Sequence, residues 1–104
     1  STDLLILSLI SEKDMYGYEI INILEKRSNN TFNFKEGTLY PILHRLENKG
    51  YLKSYKEKSD AGRSRKYYKI TKKGLNQLEK EKEEWASFQK TINTIISGEI
   101  NVSI

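Results

Sequence analysis

The chain contains no cysteine, and only one histidine, one proline, one tryptophan and one methionine among its 104 residues. Without cysteine there is no disulfide framework, no thiolate nucleophile and no zinc-finger spacing. His44 is the sole imidazole, so a His-based metal site or a catalytic triad within one chain is disfavoured. No nucleophile elbow, phosphate-cradling glycine loop or paired-carboxylate motif assembles a reaction site. Glu79, Glu81, Glu83 and Glu84 read as the solvated flank of a helix. The chain is therefore not expected to be an enzyme, and no cofactor or metal is expected. Long apolar runs are missing too. The longest, Leu4 to Ile10, holds a serine and is far too short to cross a bilayer. It lacks the basic flank and small-residue cleavage site of a signal peptide, so the expected compartment is the cytoplasm.

Charge is what the chain has in excess, and it is unevenly placed. Lys53 to Lys73 carries nine cations against Glu57 and Asp60, a surplus of seven, while the whole chain is only +4. Everything outside that segment therefore sums to −3. Tyr51 to Lys56 and Lys66 to Ile70 are short, aromatic-rich and bounded by turn residues, the pattern of a hairpin. Its tip, Asp60-Ala61-Gly62-Arg63-Ser64-Arg65, presents cations. A concentrated basic patch on a small hairpin suits a polyanion, most often nucleic acid. The competing reading is a lysine-blunted edge that resists aggregation.

The rest of the chain decides between them. At this length one small domain is expected. Leu4 to Ile10 is apolar on nearly every face of a helix, more than one small domain buries alone; part of it is expected to meet a second subunit. Ser11 to Asp14 is a polar break with Asp14 as N-cap of the next helix. There Gly17, Ile20, Ile21 and Leu24 fall at i, i+3, i+4 and i+7. Gly17 in the first turn implies close approach of something, with packing favoured over a phosphate. Arg27 to Asn30 ends that helix. A third helix over Thr38 to about Lys49 turns Leu39, Ile42, Leu43 and Leu46 inward. Pro41 belongs in its first turn, and Gly50 is its left-handed cap. Helix, break, helix, with a polar outer face on the second, is helix-turn-helix patterning.

Thr71 caps a last helix whose Leu75, Leu78, Lys82, Trp85, Gln89, Ile92 and Ile96 repeat at heptad spacing. Phe88 and Ile95 widen its C-terminal part. That helix outruns a core built from seventy residues, so its seam is expected to pair two chains. Gly98 ends it, and residues 99–104 form a tail. The fold class is mainly α with a small β-hairpin: a winged helix-turn-helix over 1–70 and one long C-terminal dimerisation helix over 71–98.

Four stretches in register resemble the PadR (phenolic acid decarboxylase regulator) family of transcription factors. They are Gly17-Tyr18-Glu19-Ile20, Gly37 to Leu43 with Arg45-Leu46-Glu47, Gly62-Arg63-x-Arg65-Lys66-Tyr67-Tyr68, and Thr71-x-x-Gly74. Together they span about two thirds of the chain. Tyr16 departs from the histidine many members carry, and the single last helix points to the short subfamily. The resemblance implies a homodimeric winged-helix DNA-binding protein, usually a repressor released by a small molecule. It places Trp85 where similar short members line a pore between subunits, against a plain role as dimer-core anchor.

These readings converge on a dimeric regulator of double-stranded DNA bearing a pseudo-palindromic operator. Thr38, Tyr40, Pro41, His44 and Arg45 are the third-helix candidates for DNA, with Arg63, Arg65 and Lys66 on the wing. Lys35 and Lys49 flank them, and Arg45 has Glu47 or Glu36 as alternative partners. Trp85, Phe88 and Leu5 are candidates for a hydrophobic or aromatic effector. Leu4, Leu7, Leu78, Trp85, Phe88, Ile92 and Ile96 are candidates for the dimer interface. The alternative is a winged-helix protein–protein module whose ribbon faces an acidic partner.

Overall fold

Seven elements occupy residues 1–98, the part of the chain that the computed structural model describes. They are α1 (Thr2–Glu12), β1 (Met15–Tyr16), α2 (Gly17–Arg27), α3 (Glu36–Asn48), β2 (Leu52–Lys58), β3 (Ser64–Ile70) and α4 (Lys72–Ser97). The expected tail lies outside the described residues. Three helices, a β-ribbon and a long last helix make the winged helix-turn-helix that the spacing predicts.

Apolar periodicity becomes packing almost residue for residue. Gly17, Ile20, Ile21 and Leu24 are the buried positions of α2, and Leu39, Leu43 and Leu46 those of α3. Ile42 lies only at the margin of that core. Ile6, Leu7, Leu9 and Ile10 of α1 face inward, leaving Leu4 and Leu5 half-buried. One core therefore absorbs most of the helix expected to need a second subunit.

Three boundaries differ from the sequence reading. Tyr16, not Asp14, is the N-cap residue of α2; the Asp14 carboxylate instead accepts a hydrogen bond from the Tyr55 hydroxyl at 2.7 Å. Met15 and Tyr16 form a short third strand opposite Tyr68 and Tyr67, giving the antiparallel order β1-β3-β2. Helix α3 starts at Glu36 rather than Thr38, so Pro41 sits in its second turn. There the ring removes one helical hydrogen bond on a solvent-facing side, where water can replace it.

The turn after α3 anchors α4. Gly50 has φ +81°, and the amide of Tyr51 closes on the Leu46 carbonyl at 3.0 Å, a left-handed helix termination. Thr71 Oγ1 donates to the Gly50 carbonyl at 2.6 Å and accepts from the Gly74 amide at 3.0 Å. Gly74 lies so close beneath that a Cβ would overlap the Tyr51 carbonyl oxygen. The root of α4 is thus welded to the α3–β2 turn, with Leu78 in the core. At about 1.5 Å per residue its 26 residues reach roughly 39 Å, past the domain that roots it.

Candidate nucleic-acid interface

Two surfaces carry the residues singled out for DNA, and they adjoin. On α3 the inward stripe leaves Gly37, Thr38, Pro41 and His44 exposed together on the opposite face. Spacing of three and four residues puts Gly37, Thr38, Pro41 and His44 on one side of the helix. Beside it stands the hairpin. Its tip is closed by the Ser59 amide to the Arg63 carbonyl at 2.7 Å and the Gly62 amide to the Ser59 carbonyl at 2.8 Å. Gly62 takes φ +81° there, a conformation glycine adopts without strain.

Strand alternation sorts the cations by face. Leu52 pairs with Ile70, Ser54 with Tyr68 and Lys56 with Lys66, and Leu52 and Tyr68 point into the core. Lys56, Lys58 and Lys66 therefore lie on the α3 side of the ribbon. Lys66 Nζ confirms this: it sits 3.7 Å from Glu47 of α3 and 5.3 Å from the Tyr68 ring centroid. Glu47 also accepts from Ser54 at 2.5 Å, which ties ribbon to helix. Arg65 belongs to the other face, its guanidinium 4.4 Å over the Tyr16 ring. Next to it Tyr16, Tyr67 and Tyr55 form a ladder, with Tyr55 stacked on Tyr67 at 5.6 Å. The Asp14 carboxylate pushes the Tyr55 hydroxyl up to about 12, so it stays a hydrogen-bond donor. Arg63 is exposed at the tip. Lys56 and Lys58 were absent from the candidates, although period-two alternation from Leu52 would have placed them with Lys66.

Two α3 candidates are engaged elsewhere. Tyr40 is half-buried, and its ring lies against Gly17: a Cβ on that glycine would stand 2.6 Å from the hydroxyl oxygen. Burial and the nearby Glu36 push this phenol up. The close approach expected at Gly17 is packing. Arg45 is exposed, but its side chain is engaged by another helix. Its fork donates to Asp3 of α1 at 2.8 and 2.5 Å, and neither Glu47 nor Glu36 is its partner. That pair holds the Asp3 carboxyl below its usual range and the guanidinium above its own.

The remaining candidates cluster along α1 and α4. Leu4, Leu5, Phe32 and Trp85, with Ser1 and Thr2, line a largely apolar cavity of about 500 Å³. Phe88 does not line it but packs on Trp85 with ring centroids 6.0 Å apart. Leu7 and Leu78 are spent in the chain's own core, 0 % and 2 % exposed, and are not available to a second chain. Trp85, Phe88, Ile92, Ile95 and Ile96 are exposed along α4. Among the described residues, no cluster of three His, Asp or Glu could hold a metal ion, and no helix is long and apolar enough to cross a membrane.

The sequence profile of the family described as "Transcriptional regulator PadR-like family" matches residues 6–80. This chain belongs to that family. Its members are transcriptional regulators, not enzymes. A PadR-like transcriptional regulator from Bacillus cereus is 37% identical, covering 94% of this chain and 93% of that one with a TM-score of 0.82. A transcriptional regulator from Clostridium thermocellum is 40% identical over 88% and 89% of the two chains, at 0.81. A PadR family regulator from Clostridium difficile is 42% identical over 90% and 96%, at 0.78. The stretches singled out for their resemblance make structural contacts here: Gly17 admits the Tyr40 ring, Gly62 turns the wing, and Thr71 with Gly74 seats α4 on the α3–β2 turn.

Proposed function

We propose that this PadR-like regulator is a cytoplasmic, homodimeric repressor that binds a pseudo-palindromic operator and is released by a hydrophobic or aromatic small molecule. The observation that carries the DNA reading is the adjacency of the polar face of α3 to a ribbon with cations on both faces. In this reading Thr38, Pro41 and His44 face base edges in the major groove. Arg63 and Lys66, with Lys56 and Lys58, meet phosphates or the adjacent minor groove, and Arg65 supports them from the outer face. Cations on phosphates position the protein, while base edges specify the sequence. Residues 1–70 form the reading unit and 71–98 the pairing helix, whose first two turns are rooted in the unit's core. Exposed Trp85, Phe88, Ile92 and Ile96 supply the pairing surface, with Leu4 at its margin. The cavity beside Trp85 and Leu5 is where the effector would stack, Phe88 backing the indole.

Selection of bound sequences from a random duplex pool tests this reading. The expected product is two inverted half-sites with centres about 34 Å apart, one helical turn. A pool that gains no sequence after repeated rounds would count against specific DNA binding. Titrating flat aromatic compounds against the single tryptophan checks the effector; quenching is expected, and a panel without any would leave Trp85 as a packing anchor.

A further inference from the structure

The Asp3–Arg45 pair joins more than two side chains. Asp3 lies between Thr2 and Leu4, both of which line the cavity beside Trp85. Arg45 is one residue from His44 and four from Pro41, on the helix whose polar face is exposed. A second carboxylate near Asp3 is on α4. Glu81 is half-buried, one of its carboxylate oxygens has no hydrogen-bond partner among the described residues, and burial and then Asp3 push its carboxyl up against the lowering effect of the N-terminus and Ser1. Trp85 follows Glu81 by four residues, on the same side of α4. The Arg45 guanidinium is thus held by a carboxylate of α1 whose two chain neighbours line the cavity. The fork fits one carboxylate bidentately, so its geometry follows any shift of α1.

We infer that Arg45 is a positioning residue rather than a DNA contact: through Asp3 it couples the cavity beside Trp85 to the exposed face of α3. The inference rests on the DNA reading. Coupling between sites is reciprocal for binding, so DNA bound at α3 changes the surroundings of Trp85. The test uses duplexes selected by the wild-type chain and follows Trp85 emission and the salt dependence of affinity together. Wild type is expected to change emission on binding. Arg45→Gln and Arg45→Lys are expected to keep the wild-type salt slope and to lose at least half of the emission change. Arg45→Lys retains charge and most of the volume, so it separates the fork from the charge. A slope lowered by about 0.9 in Arg45→Gln but not in Arg45→Lys would make Arg45 a phosphate contact and overturn the inference. So would an emission change that survives in both variants, or one absent from wild type. Failure of wild type to bind any duplex would overturn the DNA reading itself, and the coupling with it.

Discussion

Helices α3 and α4 are both amphipathic and both leave a face uncovered, yet the two faces differ in kind. The outside of α3 offers a hydroxyl, a proline ring and an imidazole beside lysines and arginines. That of α4 offers Trp85, Phe88, Ile92, Ile95 and Ile96, the last two 68 % and 75 % exposed. Water tolerates the first face indefinitely. The second is a contiguous apolar stripe, of the sort that marks an association surface. The contrast is the ground for proposing a polar, anionic partner at α3 and an apolar one at α4, and the shared root at Tyr51 and Thr71 fixes one relative to the other.

The largest expected effect breaks that root. Gly74→Ala drives a methyl group into the Tyr51 carbonyl, which belongs to backbone and cannot step aside. We expect a loss of about 3 kcal/mol or more, the upper range for overpacking, read by denaturant unfolding. Gly17→Ala should cost clearly less, because it meets the far end of the Tyr40 side chain. Equal losses would mean that the root is not rigid. Next comes the apolar face. Ile92→Glu with Ile96→Glu should weaken chain pairing at least tenfold, about 1.4 kcal/mol, without unfolding the domain, as sedimentation would record. A monomeric wild type would remove α4 from the comparison.

The smallest effect separates Asp3 from Glu81. Asp3 is held low, so its stabilisation is present at neutral pH and lost as pH falls through its lowered folded value. Glu81 is pushed up, so its contribution is full below the unfolded value and lost as pH rises through the folded one. At pH 7 Asp3→Asn should therefore destabilise by roughly 1 kcal/mol, the scale of partly exposed pairs, while Glu81→Gln should stabilise slightly. Melting curves should show the Glu81→Gln gain vanish below about pH 4, and the Asp3→Asn loss vanish at lower pH still. The same sign for both variants would contradict the opposite shifts of the two carboxyls.

Much of the fold was legible because helical spacing is local information. The stripes of α2 and α3, the Gly50 termination and the Thr71 cap each lie within a few residues and reappear in the structure. What was not legible is long-range or too short to pattern. Two residues cannot display alternation, so β1 went unseen until Met15 met Tyr68. Arg45 and Asp3 lie 42 positions apart, and no spacing rule links them. Pro41 misplaced the start of α3 because its penalty is small where water can satisfy the freed carbonyl. Lys56 and Lys58 were readable from alternation alone. Leu78 looked like interface from a heptad pattern and Leu7 from a helix apolar on nearly every face; either pattern records that a side is apolar, not which chain covers it.

The DNA reading stands or falls on where the wing's cations go, and the salt dependence of duplex affinity measures that directly. Arg63→Ala with Arg65→Ala should weaken binding to specific and random duplexes alike. The slope of log affinity against log salt should fall in magnitude by up to about 1.8, close to 0.9 for each phosphate contact removed. A double variant that keeps the wild-type slope would show that the ribbon does not meet the backbone.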